Sequence, residues 1–478
     1  MKPLAPLLVL LVAIGVRALT LGAPLYEAHH IRQCDTATMA RNMVRHGLDP
    51  FHPRLDWTGP EAQPVESEFP VYALAVAASW RILPSPSVPV ARAVTLLGMA
   101  LLIWAVGVVA VRLGDEEDRA PAMLLIGFAP LSLVFGRAVM PDVWALALGW
   151  AGLAALTRTS GGDEDGARDT RWLLIGAGLL ALSALAKLPM LVLWPPALLL
   201  AWRAGSTRRP LRIGALLAAA LPVAIWSAHS ASLADASGFS LGVGFESGKW
   251  TTPAVLLDPL TWRAYAGVLG SEAVLVIGLL TVCWAAARSL GDRSLDLAWV
   301  GLASFGVLAL VAAPAVRAHD YYFLPLVAWA SLAGGRGLRH AMDRRLGMAL
   351  VAVALLLSAW SGALATRRLL GQDDVPRQQG LALAEEVQRD RAVLVCDPFV
   401  PSILWAADRR GFKTQVFEVD DVEGYRARGV TDLWLTTACN GGLEPALLES
   451  LARDHDVTAS GEWAWHVELR GTAPGGEG

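Results

Sequence analysis

Ionisable side chains are sparse in this sequence, and those able to do chemistry fall into a few stretches. Tyr26 to Tyr72 holds His29, His30, Arg32, Asp35, Arg41, Glu66 and Glu68; beyond it stand Asp142, Lys187, and the run Arg317, His319, Asp320, Tyr321 and Tyr322. A carboxylate within hydrogen-bond reach of a hydroxyl can take its proton. Arginine's planar fork suits a phosphate, and lysine or histidine can add positive charge. A charge at the centre of a bilayer costs about 2.5 to 3.5 kcal/mol on insertion scales, so ionisable groups near a membrane boundary point to a site when they share one side. Helix capping and snorkelling to the interface are the alternatives for each residue taken singly.

The elements that must position these groups are apolar. The chain has 478 residues, 54% hydrophobic and 17% charged, with 19 tryptophans; a soluble domain carries about 25% charged residues. This is the composition of a polytopic membrane protein, and nothing in it suggests nucleic-acid binding. The net charge of -3 says nothing of orientation, which depends on where Lys and Arg fall. At roughly 20 apolar residues per span, about eleven segments are expected. They are Leu4 to Leu21, read as a retained signal anchor, then Val90 to Val111, Ala120 to Phe135, Val143 to Leu156, Trp172 to Ala186, Met190 to Trp202, Ile213 to Ala228, Ala266 to Ala287, Leu297 to Ala313, Tyr322 to Ala333 and Met348 to Leu364. With the N-terminus inside, the inner loops collect most of the arginines, among them Arg112, Arg158, Arg208 and Arg345, whereas the short outer loops hold only Arg137, Lys187 and Arg317. The Tyr26 to Tyr72 segment, within an outer loop over 22–89, and the region after Leu364 are therefore expected outside.

After Gln372 the periodicity changes. Helix-like Arg377 to Arg389, Ser402 to Arg410, Val422 to Ala427 and Leu443 to Ala452 alternate with strand-like Ala392 to Cys396, Lys413 to Val419 and Thr431 to Leu435. The division is a transmembrane domain over 1–370 and a small extracytoplasmic α/β domain over 371–478, ending in a tail, Gly471 to Gly478, of disordered composition. Four cysteines, Cys34, Cys283, Cys396 and Cys439, lack metal-ligand spacing, and no disulfide is assigned.

The run Arg32-Gln33-Cys34-Asp35-Thr36-Ala37, continuing to Ala40-Arg41-Asn42, then Glu68-Phe69-Pro70, Pro141-Asp142 and His319-Asp320-Tyr321-Tyr322-Phe323-Leu324-Pro325, resembles bacterial members of glycosyltransferase family 39. These belong to the GT-C superfamily, with protein O-mannosyltransferases and lipid A aminoarabinose transferases as relatives. Similar members carry an outer α/β tail with a motif like Ile403-Leu404-Trp405-Ala406-Ala407-Asp408-Arg409-Arg410-Gly411-Phe412. The resemblance implies a multi-pass protein of the cytoplasmic membrane. It would transfer a sugar, with inversion, from a polyprenyl-phosphate carrier to an acceptor hydroxyl on a protein, lipid or glycan at the outer face. No nucleotide is needed, and no Walker or dinucleotide loop is present.

On that resemblance Asp35 is the expected base and Asp142 a second acidic member, with Glu27 competing because the mannosyltransferase pattern has Asp-Glu where this chain has Arg32-Gln33 or, in another register, Tyr26-Glu27. The alternative for Asp35 is an N-cap of a helix running to His46, and for Glu68 a cap of the helix Phe69 to Ile82 rather than a substrate-positioning group. Arg32, Lys187 and His319 are candidate donor-phosphate partners. Tyr321 and Tyr322 could contact sugar or sit in an aromatic belt. His29 and His30 near Asp35 could recruit a divalent ion, but a metal-free site without cofactor is the favoured expectation. Two other classes remain: a transporter or flippase of a lipid-linked sugar, disfavoured because polar groups gather at one face without an internal repeat, and a non-catalytic membrane scaffold.

Overall fold

A computed structural model describes residues 4–83, 86–159, 166–203, 208–242, 248–270, 295–342 and 362–470, with residues 349, 353, 356 and 360. Its first half contains α1 (Leu4–Ala18), α2 (His30–His46), α3 (Val71–Ile82), α4 (Val88–Leu113), α5 (Arg119–Phe128), α6 (Pro130–Phe135), α7 (Asp142–Leu156), α8 (Gly166–Ala186), α9 (Trp194–Arg203), α10 (Arg209–Ala218) and α11 (Leu221–Ser237). The helices Asp296–Val311 and Leu324–Met342 follow. The 26-residue α4 is apolar on all sides and packs into the interior of the bundle, as expected of a helix with no polar stripe. Where α7 meets α8, a Cβ on Gly152 would lie 2.9 Å from the Gly176 carbonyl oxygen, and one on Gly176 would lie 3.0 Å from the Gly152 oxygen. Only glycine at both positions lets these backbones approach so closely.

Among the described residues, three helices are long and apolar enough to cross a membrane, Val88–Leu113, Arg168–Ala186 and Arg209–Ser237, and five shorter apolar helices accompany them. The expected eleven spans are thus not all present as single long helices. The segment Ala120 to Phe135 is two helices, because the chain turns out of helical geometry at Ala129, whose ψ is 138°, ahead of Pro130. The Gly127 carbonyl at this break accepts a 2.7 Å hydrogen bond from Arg17, which also binds the carbonyls of Ala13 and Ser132. Met190 to Trp202 begins as the 3-10 turn Leu188–Leu193 before α9. Ala266 to Ala287 overlaps the helix Pro259–Val268 at its start and beyond residue 270 lies outside the described residues, as do most of Met348 to Leu364 and all of Gly471 to Gly478.

The C-terminal unit is a six-stranded sheet in the order β1-β3-β2-β4-β6-β5. Strands β2 (Val393–Cys396), β3 (Gly411–Thr414) and β4 (Asp432–Thr436) are parallel, and β5 (Asp456–Ser460) and β6 (Ala464–Glu468) form an antiparallel hairpin beside β4. Helices precede, separate and follow the parallel strands as the sequence pattern implies, although β3 starts and stops earlier than Lys413 to Val419. A Cβ on Gly411 would fall 1.7 Å from the Val393 carbonyl oxygen, so the β2–β3 contact requires glycine there. The edge strand β1 is Thr58–Gly59, from the first polar segment, pairing antiparallel with Phe412 and Gly411. Contrary to the sequence expectation, Cys396 and Cys439 form a disulfide, while Cys34 is free and buried. The β2–β4 register sets the end of β2 beside the loop after β4, a proximity that cysteine spacing alone does not reveal.

Candidate functional site

Helix α2 is polar in sequence yet buried continuously from Gln33 to Met43. A buried polar side chain needs a partner, and those on α2 reach in two directions. Towards its C-terminal half, Arg41 binds Asp56 at 2.5 Å and Asp408 at 2.9 Å and lies 4.3 Å over the Trp405 ring, while Asn42 donates to Asp56 at 2.8 Å. The Ile403 to Phe412 motif thereby docks the α/β unit onto α2. Towards its N-terminal half, Arg32 and Asp35, three residues apart, share one face.

Asp35 is not an N-cap. The helix starts at His30 behind His29, whose φ is 55°, with no side-chain cap. The Asp35 carboxylate instead accepts a 2.8 Å hydrogen bond from Trp57 Nε1, and Lys413 of β3 lies 3.4 Å from the centroid of the Trp57 ring. Burial pushes the Asp35 pKa up to about 6, against the opposing pull of the Trp57 bond, Arg32 and Lys413. Glu68 is no cap either, since α3 begins after Pro70 without a side-chain acceptor. Its segment is pinned by Ser230 and Trp226 of α11, which donate to the Ser67 carbonyl, and by the Phe69 amide donating to Leu185 of α8.

Glu68 joins two cations. One oxygen meets Arg32 at 2.5 Å and the other meets Lys187 at 3.1 Å; Lys187 in turn lies 3.5 Å from Asp142, the first residue of α7. The second Asp142 oxygen is buried without a hydrogen-bond partner. Burial opposes ionisation of Glu68, but Arg32 and Lys187 hold its carboxyl well below the usual range. Burial likewise opposes the charge on Lys187, which Asp142 and Glu68 hold above its ordinary value. The four side chains therefore form a chain that alternates in cationic and acidic residue type. Tyr321 and Tyr322 sit below the Lys187 ammonium, 5.2 and 5.8 Å from it to their ring centroids.

Two cavities meet at Glu68. The larger, about 680 Å³, runs between residues 188–195 and the helix Asp296–Val311; its lining is apolar except at Glu68, Lys249, Trp250, Ser304 and Tyr322. Val307 and Val311 of its wall are also exposed on the surface, so its mouth is apolar too. The smaller, about 20 Å³, is bounded by Arg32, Asp35, Glu68 and Pro141 among others. Lys249 went unrecognised in the sequence, where it is one cation within a polar connector. Its ammonium donates to the Gly242 carbonyl.

Other sequence candidates fall elsewhere. Glu27 is clamped between two buried arginines, Arg92 at 3.0 Å and Arg137, and takes a further hydrogen bond from Gln33. It lines neither cavity, so the structure does not bring it to Asp35's group. His319 is stacked on Tyr321, with ring centroids 5.1 Å apart, and its Nδ1 is buried without a partner. Burial, followed by the charges of His29, Lys187, Lys249 and Arg32, lowers its pKa to about 4. It is therefore a neutral imidazole at pH 7. His29 and His30 diverge to Asp320 and Ser402, each at 2.7 Å. Among the described residues no group of three His, Cys, Asp or Glu side chains is placed to hold a metal ion.

No family model matches the chain. A probable alpha-(1->6)-mannopyranosyltransferase of Mycolicibacterium smegmatis is 29% identical over 296 residues, covering 54% of this chain and 51% of that protein. The chain thus spans about half the length of the curated relative it matches. Among solved structures, ArnT from Cupriavidus metallidurans bound to undecaprenyl phosphate superposes with a TM-score of 0.66 at 15% identity, covering 98% of this chain and 99% of that one. The Archaeoglobus fulgidus oligosaccharyltransferase gives 0.61 at 13%, covering 91% and 70%. The arabinofuranosyltransferase AftD from Mycobacteria gives 0.61 at 14%, covering 99% and 40%. The chain resembles GT-C glycosyltransferases and shares their membrane-integral fold.

Proposed function

We propose that this chain is a glycosyltransferase that moves a sugar from a polyprenyl-phosphate-linked donor to an acceptor hydroxyl, with inversion, at the extracytoplasmic face. One observation carries the reading: Glu68, held ionised between Arg32 and Lys187, forms a common wall of a long apolar cavity and of a small void beside a buried carboxylate. The apolar cavity suits an isoprenoid tail. Lys249 and Tyr322, on its lining, supply an ammonium and a hydroxyl for the phosphate, with Arg32 and Lys187 behind Glu68. That ArnT from Cupriavidus metallidurans was solved with undecaprenyl phosphate agrees with such a ligand.

In this reading Asp35 takes the proton of the acceptor hydroxyl as its oxygen bonds to the anomeric carbon. The bond from that carbon to the donor phosphate breaks, and its electron pair stays on the phosphate oxygen. Developing charge there calls for pre-placed cations rather than a general acid. An Asp35 pKa near 6 leaves the carboxylate ionised at neutral pH yet more basic than an ordinary aspartate. Asp142 keeps Lys187 charged and fixed. Glu27 is structural, holding Arg92 and Arg137.

Two features support an extracytoplasmic site: the sparse cations of the short outer loops, and the Cys396–Cys439 disulfide, a bond that persists in oxidising compartments. The test is transfer by purified protein from a panel of polyprenyl-phosphate sugars, comparing the native chain with Asp35→Asn and Asp142→Asn. Full turnover in folded Asp35→Asn would overturn the assignment of the base. Passage of an intact lipid-linked sugar across vesicles, with no transfer product, would favour a flippase.

A further inference from the structure

At the end of α2 remote from Arg32, a cavity of about 240 Å³ lies between the first polar segment and the α/β unit. Its charged lining is Arg45, Arg389, Arg391 and Arg410 against Asp390 and Asp408. At roughly 30 Å³ per water it has room for about eight waters, ample for a phosphate or carboxylate group. Asp408 is already shared among Arg41 at 2.9 Å, Arg45 at 2.6 Å and Arg389. Arg391 is bound to Asp432 and Glu468, both at 2.8 Å. Arg410 is different. Among the described residues it has no carboxylate partner and meets His46 Nε2 at 3.0 Å. Burial, then Arg410, Arg54 and Arg45, hold the His46 pKa below its ordinary value despite Asp56. The cavity therefore presents, in a concave site, an Arg410 guanidinium that no carboxylate neutralises among the described residues, and guanidinium groups offer the paired donors that oxyanions accept.

We propose that this arginine-lined cavity is an anion subsite that holds a phosphate or carboxylate group of the acceptor. The word acceptor rests on the transfer reading above; the anion preference rests on the cavity alone. No residue of its lining belongs to a membrane-spanning helix, which favours an acceptor group over the headgroup of a bilayer lipid. Asp35 and Arg45 are separated along α2 by about 15 Å at 1.5 Å per residue. The acceptor is accordingly an extended molecule whose anionic group binds about that far from the reacting hydroxyl.

The experiment is a calorimetric titration of the purified full-length chain in detergent with tripolyphosphate, repeated with Arg410→Gln, Arg389→Gln and Asp390→Asn. Saturable binding is expected, weakened about tenfold by Arg410→Gln, weakened by Arg389→Gln, and tightened by Asp390→Asn. Two neutralised arginines keep the test decisive if one variant fails to fold. Tripolyphosphate binding that none of the three substitutions changes would overturn the subsite. Binding to phosphatidylglycerol vesicles that falls in Arg410→Gln while tripolyphosphate binding does not would assign the cavity to lipid headgroups instead. With an active donor, the same variant should raise the acceptor KM and leave donor hydrolysis without acceptor unchanged. If anion binding responds as expected but no donor is turned over, the anion subsite stands and its assignment to an acceptor falls with the transferase reading.

Discussion

Two buried ion clusters lie close together in this molecule, and they have opposite characters. In the first, Glu27 is enclosed by Arg92 and Arg137; Arg92 also donates to the carbonyls of Thr20 and Pro24, and the Nε of each arginine is buried without a partner. Glu27 lines neither of the two cavities at Glu68, and both of its oxygens are taken by arginine. In the second, Arg32, Glu68, Lys187 and Asp142 alternate in sign, Asp142 keeps an oxygen unpartnered, and Glu68 faces two voids. Burial and charge are common to both. What separates a fastener from a site is unspent bonding capacity beside a space that a ligand can enter.

The comparison can be broken most sharply at Asp35. Asp35→Asn should lower transfer by about 10²- to 10⁴-fold, the usual worth of a general base, as read by single-turnover kinetics with the polyprenyl donor. The same substitution should raise thermal stability at pH 7.5. A carboxyl whose pKa is raised on folding to about 6 favours the fold below its unfolded pKa, and that contribution is lost as pH rises through about 6. Removing the charge recovers at most about 3 kcal/mol. A lower melting temperature for Asp35→Asn would show that the carboxylate is structural.

Glu27→Gln probes the other cluster and should do the reverse. Leaving two buried guanidinium groups uncompensated costs about 3 to 5 kcal/mol, visible as a lower melting temperature, while the folded fraction keeps its turnover number. If Glu27→Gln abolishes turnover in a fully folded protein, the fastener assignment is wrong. Lys249→Met should raise the donor KM about tenfold by removing one charge-assisted contact to the phosphate, with acceptor KM unchanged. The smallest effect is expected from Lys413→Met. Lys413 lowers the Asp35 pKa, so its loss should move the acid limb of the rate profile to higher pH by a fraction of a unit, since the lysine is partly solvated.

Much of the site was legible in the sequence because its constraint is topological. Asp142 and Lys187 stand out as ionisable residues at the ends of apolar helices, and Asp35 and Glu68 as acids of the first polar segment; the structure brings Glu68, Asp142 and Lys187 together with Arg32, and Asp35 beside them. The helix to His46 and the alternating pattern after Gln372 are local signals, and the structure contains both. What could not be read depends on partners distant in sequence. Glu27 looks like a free acid until Arg92 and Arg137 fold against it. Thr58–Gly59 has no strand signal of its own and becomes β1 through β3. Lys249 acquires a role only because a cavity forms beside it. The helix break ahead of Pro130 shows how one residue can turn an expected span into two shorter helices.

The pairing of Thr58 with Phe412 has a consequence for how the protein is made. Chains emerge from the ribosome at about 5 to 20 residues per second, so β1 waits on the order of tens of seconds for the strand that receives it. During that interval Trp57 lacks Lys413, and Arg41 lacks Asp408. The surroundings of Asp35 are thereby completed only once translation reaches β3, and a product terminated before it would lack the Trp57–Lys413 and Arg41–Asp408 contacts.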